Sequence, residues 1–126
     1  MKTIEFLNID LDIESEFPLQ AIIDGFGDNV TVMYNIREGE LYKASFELTD
    51  IGDPEQLLNR YVTLVESLND EQRRCWDQCT KRVFDIGYDS GHGPDNFHSA
   101  LSSAAIASLS RVGGGIVITV YPVAHE

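Results

Sequence analysis

Apolar residues recur in this chain at two different spacings, and the spacings take turns from one end to the other. Residues 3–14 alternate apolar with polar side chains, the period of a half-buried strand, with Ile4 and Phe6 followed by Ile9, Leu11 and Ile13. The parity changes at Leu7-Asn8, which predicts a β-bulge inside one strand rather than two strands. Ser15 stands where it could cap a short helix through Pro18–Ile23, with Gly25 and Gly27 ending it. Val30, Val32, Tyr34 and Ile36 then alternate out, Arg37-Glu38-Gly39-Glu40 turns, and Tyr42, Ala44, Phe46 and Leu48 alternate back, the pattern of a hairpin with one apolar face.

The period now lengthens to that of a helix. Asp53 is an N-cap, Pro54 suits the first helical position, and Gln56 completes a capping box. Leu57, Leu58, Tyr61, Val62, Leu64, Val65 and Leu68 mark a wide apolar face. Asn69 caps a second helix over 70–79, which carries Cys75, Trp76 and Cys79, with Lys81 and Arg82 beyond its end, where the helix dipole favours cations. Phe84, Ile86 and Tyr88 read as a fourth strand. A helix opening at Ser102 or Ser103 turns Ala105, Ile106 and Leu109 inward and ends at Gly113. Ile116, Val117, Ile118 and Val120 form a last strand whose apolar density predicts a central place in the sheet.

The order β-α-β-β-α-α-β-α-β predicts an α+β fold. We expect a two-layer α/β sandwich: a five-stranded, mixed and partly antiparallel sheet, with about four helices mostly on one face. At 126 residues and 43% apolar content, the chain suits a single domain over 1–126 with its own core. No stretch reaches the ~20 apolar residues of a membrane span, and the opening Met1-Lys2-Thr3-Ile4-Glu5 lacks the apolar run of a signal peptide. A cytoplasmic location follows as the expectation. Cys75 and Cys79, one helical turn apart, have poor disulfide geometry and read as reduced, mostly buried thiols.

Charge is the strongest global signal, with a net value of −12. Residues 1–53 hold 12 acidic and 3 basic side chains (net −9), whereas residues 54–126 hold 9 and 6 (net −3). Such a field repels phosphate backbones, which disfavours nucleic acid, and would speed encounter with a basic protein. Ordinary solubility is the alternative. Asp10, Asp12 and Glu14 alternate along the first strand and so project from one face. Neighbours on that face stand about 6.5–7 Å apart, too far for all three to hold one small cation on a straight strand. They read either as a solvated face or as an acidic row for lysine and arginine side chains.

Asp89, His92, Asp95 and His98 recur every third residue in a Gly- and Pro-rich loop. These are residue types able to act as bases or metal ligands, but the irregular backbone means that even spacing need not bring them together. Gly113-Gly114-Gly115 follows a helix and precedes a strand, the reverse of a phosphate loop, and reads as a connector. The serines lie in no nucleophile elbow, and neither cysteine has an activator close in sequence. No catalytic residue, cofactor or metal is expected.

Trp76, then Val83-Phe84-Asp85-Ile86-Gly87-Tyr88-Asp89-Ser90-Gly91, the Leu101-Ser102 helix start, Gly113 and the run Ile116–Pro122 resemble a pattern in small uncharacterised bacterial proteins. The opening Leu7-Asn8-Ile9-Asp10-Leu11-Asp12-Ile13 is similar to theirs as well. This resemblance implies a small αβ fold and assigns no activity. In size and acidity the chain is also similar to immunity proteins of contact-dependent toxin systems. The functional expectation is therefore an immunity or antitoxin-type protein that occludes the active site of a basic toxin, using Asp10, Asp12, Glu14, Glu38 and Glu40. The loop residues Asp89, His92, Asp95 and His98 form a secondary contact. The alternatives are a small metal-dependent or small-molecule enzyme built on the 89–98 loop, and a homo-oligomeric scaffold (in the simplest case a homodimer) formed through the apolar hairpin face.

Overall fold

The N-terminal alternation becomes β1 (Glu5–Ser15), the middle strand of the sheet. Its apolar set Ile9, Leu11 and Ile13 is almost wholly buried, while Asp10, Asp12 and Glu14 emerge on the opposite face. The bulge lies where the parity change predicts, with the register against its neighbour shifting between Phe6 and Asn8. The structure is a computed structural model, and it describes residues 3–91 and 96–122.

The remaining elements are α1 (Gln20–Phe26), β2 (Val30–Glu38), β3 (Leu41–Leu48), α2 (Pro54–Glu66), α3 (Asp70–Asp77), β4 (Lys81–Asp89), α4 (Ser103–Arg111) and β5 (Gly115–Tyr121). They give the expected α+β fold, a five-stranded mixed sheet of order β2-β3-β1-β4-β5 with four helices. β1 runs antiparallel to both β3 and β4, β2 antiparallel to β3, and β5 parallel to β4 through the α4 crossover. The core lies between sheet and helices, where Trp76, Tyr61, Phe26, Phe46 and Phe84 are fully enclosed. Phe26 meets Phe46 edge-on at 5.3 Å between ring centroids. No helix among the described residues is long and apolar enough to cross a membrane.

Helix termini follow the local sequence closely. Asp53 and Asn69 each form a complete capping box, with Gln56 and Gln72 respectively. The Trp76 indole N–H finds its acceptor in the Val112 carbonyl at 2.8 Å. Arg82 closes the ends of two helices, donating to the Trp76 and Cys79 carbonyls at 3.0 and 3.1 Å and to Gly113 at 3.0 Å. Gly113, at φ 71°, permits the left-handed turn that leads from α4 into β5.

Four expectations are corrected. Ser15 does not cap α1: its hydroxyl accepts from the Phe17 N–H in a turn before the helix, and the N-cap is Leu19, with no side-chain bond. The hairpin strand β2 does not keep one apolar face, because a register shift between Val32 and Tyr34 turns Tyr34 and Ile36 to the side opposite Val32. Ile106 points outward rather than into the core, at 55% exposure. β5 is an edge strand, not a central one, and Ile118 and Val120 are more than half exposed. An apolar run specifies a strand that something must cover, and by itself does not say that the cover belongs to the same sheet.

Candidate functional site

The helices lie on one face of the sheet, and the other face is open. Antiparallel sheets of this kind normally present polar side chains to water, but here the register sorts them by charge. On β1, Asp10 stands opposite Glu47 of β3 on one side and Asp85 of β4 on the other. Three carboxylates are therefore abreast on three adjacent strands. Directly opposed like charges destabilise a sheet. Asp12, next on the same face, lies opposite Ser45, whose hydroxyl donates to its Oδ1 at 2.7 Å. Thr119 of β5 donates to Asp85 at 2.7 Å, and the Asn8 amide donates to Asp10 at 3.3 Å. These bonds hold the carboxylates in place without neutralising them. Among the described residues no lysine or arginine forms an ion pair with Asp10, Asp12, Glu47 or Asp85.

The electrostatic consequence falls on Asp10. Partial burial, followed by the charges of Glu47, Asp12 and Asp85, raises its pKa from 3.8 to about 6. Tyr34 stands on β2 opposite Ser45 and is also pushed up, by burial and then by Asp12 and Glu14. The acidic row thus has an aromatic margin: Tyr34 on the β2 side and Tyr121 on the β5 side, each more than 40% exposed. At the Glu47 end the surface dips into a cleft of about 240 Å³ that includes Asn8, Glu47, Asp50 and the fully exposed Ile51.

The residues singled out from sequence divide into three groups. Asp10 and Asp12 lie in the uncompensated row. Glu14 shares the open face but stands between Lys43 and Lys81, at 3.3 and 3.8 Å, and Glu38 contacts Lys43 at 3.6 Å. Glu40 lies in the β2–β3 turn, away from the row. Sequence reasoning missed Glu47 and Asp85. Both occupy polar positions of alternating strands, so their side of the sheet was legible; their position beside Asp10 depends on the pairing register.

In the secondary loop, His92 and Asp95 fall outside the described residues. Asp89 ends β4 and His98 is exposed. The neighbouring concavity, about 380 Å³, is apolar: Ile4, Tyr88, Phe97, Ile106, Ile118 and Val120 are in its wall, and neither Asp89 nor His98 lines it. Its principal polar feature is a short hydrogen bond between the Tyr88 and Ser99 hydroxyls. Among the described residues no three of His, Cys, Asp and Glu are grouped so as to hold a metal ion. Cys75 and Cys79 are both free thiols. Burial pushes both pKa values up, Cys79 to about 12, which disfavours the nucleophilic thiolate.

Comparison with protein-family models, with curated proteins and with solved structures finds no match to this chain.

Proposed function

We propose that the open sheet face is a docking surface for a basic protein, and that the chain acts as an immunity or antitoxin-type inhibitor that covers the cationic active site of its partner. The row Glu47–Asp10–Asp85 carries this reading. Three carboxylates set abreast with no cation paired to them among the described residues weaken the isolated fold, and a partner's lysine or arginine placed over them would offset that repulsion. Asp12 extends the row, and Tyr34 and Tyr121 supply the rigid aromatic margin common at protein interfaces. Glu14 and Glu38 already share lysines, so they steer an approaching cation more weakly. The small size and acidity that the chain shares with toxin-immunity proteins agree with this reading. A toxin that binds nucleic acid would present, to these carboxylates, the surface it uses for phosphate.

The test is retention of partners from the native host by the immobilised protein, compared with a triple variant Asp10→Lys/Glu47→Lys/Asp85→Lys. The expected result is a cationic polypeptide held by the unaltered protein at low salt, released as salt rises, and not held by the variant. Equal retention by both proteins, or recovery of neutral and acidic polypeptides alone, would rule the reading out.

A further inference from the structure

We propose that two copies of this chain join edge to edge through β5, antiparallel and centred on Ile118, to make one continuous sheet. This does not rest on the acidic-face reading and uses an edge of the sheet that shares Thr119 and Tyr121 with that face. The two edge strands of the sheet are unlike each other. β2 carries Arg37 and Glu38 and a register irregularity at Met33, devices that protect an edge from adventitious pairing. β5 reads Gly-Ile-Val-Ile-Thr-Val-Tyr, with no charge, no proline and an unbroken register along β4. Its side chains are exposed on both faces of the sheet, Ile118 at 63% and Val120 at 57% on one face and Tyr121 at 46% on the other. Nothing within the described residues pairs with its outer side.

The backbone sets the register. The Ser90 N–H donates to the Tyr121 carbonyl at 2.9 Å, so the main-chain groups of Tyr121 point inward to β4. Alternation then turns those of Ile116, Ile118 and Val120 outward. Pro122, next in the outward series, has no N–H to offer, and the pairing stops there. An antiparallel match centred on Ile118 uses all three outward residues. Ile118 pairs with itself and Ile116 with Val120, and each pair exchanges two N–H···O=C bonds. In the intervening positions Val117 meets Thr119, and Tyr121 meets Gly115, an aromatic ring over a bare glycine. The strand is complementary to itself.

Charge identifies the occupant as a second copy. A chain of net −12 repels its own kind, so two copies can approach only where neither carries carboxylates. β5 and the apolar concavity beside it form such a surface, with no ionised side chain in the strand or among the described residues of the concavity's wall. A basic partner would be drawn to the acidic face instead. Pairing at β5 also brings the two concavities together across the two-fold axis, so that Phe97 and Ile106 of each copy gain cover. In the joined sheet the two β1 strands are five strand spacings apart, about 24 Å, well beyond the ~8 Å screening length at physiological salt. The two acidic rows then share one side of the sheet at little mutual cost.

The test is mass in solution by light scattering and sedimentation over a wide concentration range, together with site-specific cross-linking. The unaltered chain should weigh twice 14.1 kDa. Ile118→Lys, which sets two ammonium groups opposite each other at the axis, should weigh half as much with an unchanged circular-dichroism spectrum. Under mild oxidation Ile118→Cys should form a covalent dimer, because facing Cα atoms in such a pair lie about 5.5 Å apart. Ile116→Cys, which faces Val120, should not, and neither should the native cysteines. A single-chain mass at every concentration would overturn the proposal and leave β5 to a strand of a different protein. So would a dimer that survives Ile118→Lys, or cross-linking of Ile116→Cys as fast as Ile118→Cys. Lysine substitution of Asp10 and Glu47, on β1 and β3, leaves this edge intact, so failure of the acidic-face reading would leave the dimer standing.

Discussion

Glu14 and Asp10 occupy equivalent places on the same face of the same strand, four residues apart, and their cross-strand neighbours have opposite signs. Glu14 has Lys43 on one side and Lys81 on the other. Asp10 has Glu47 and Asp85. Strand and face are the same in both places, and the register sets side chains of opposite sign alongside. At one end of the face the fold supplies its own counter-charges. At the other end none stands among the described residues, and partial burial, followed by the charges of Glu47, Asp12 and Asp85, raises the pKa of Asp10 to about 6. A carboxylate row that served the fold alone would be expected to look like the Glu14 end.

The largest effect should come from inverting each centre. Glu14→Lys sets three ammonium groups abreast and should lower stability by roughly 1–2 kcal/mol. Asp10→Lys converts the other row into an alternating-sign triad and should raise stability by a similar amount, about 1–2 kcal/mol. Urea midpoints at neutral pH measure both. Effects of equal sign would dissolve the contrast between the two ends.

A smaller effect concerns pH. The folded pKa of Asp10 lies above its ordinary value of 3.8, so between pH 4 and 6 the native protein keeps a proton that the unfolded chain has released. The associated stability is fully present below about pH 4 and is lost as pH rises through about 6. Asp10→Asn cannot ionise but still offers an acceptor to Asn8. It should flatten the pH dependence over that window and be more stable than the unaltered protein at pH 7, by roughly 1 kcal/mol after allowance for solvent screening. Thermal melts from pH 4 to 7 would measure this difference, and parallel curves for the two proteins would remove Asp10 as the cause.

Much of this arrangement is legible in the order of residues along the chain. The alternation Ile9/Leu11/Ile13 against Asp10/Asp12/Glu14 is unambiguous because one face of β1 is buried, and slipping by one residue would expose the whole apolar set. The capping boxes at Asp53 and Asn69 are local chemistry and equally plain. The uncompensated row is not, because it depends on two long-range registers. Whether Asp10 faces Glu47 or Lys43 depends on where the β2–β3 hairpin docks against β1, and no local pattern fixes that. The place of β5 is hidden for a related reason: Ile116–Val120 looks the same whether its cover comes from this sheet or from outside it. The outer half of β2 is misplaced because alternation along the chain does not show the register shift between Val32 and Tyr34, and Ile106 because an exposed apolar side chain fits the helical period as well as a buried one.

The fold gathers carboxylates around Asp10 and, among the described residues, gives them no cation. The most direct measurement is the titration of the Asp10 side-chain carboxyl, followed by carbon-detected NMR on the isolated protein. A midpoint near 6, which falls toward the ordinary value when Glu47→Gln and Asp85→Asn are introduced, is the predicted result. A midpoint at or below 4 in the unaltered protein would mean that Asp10 is solvated or already paired, and would contradict the account.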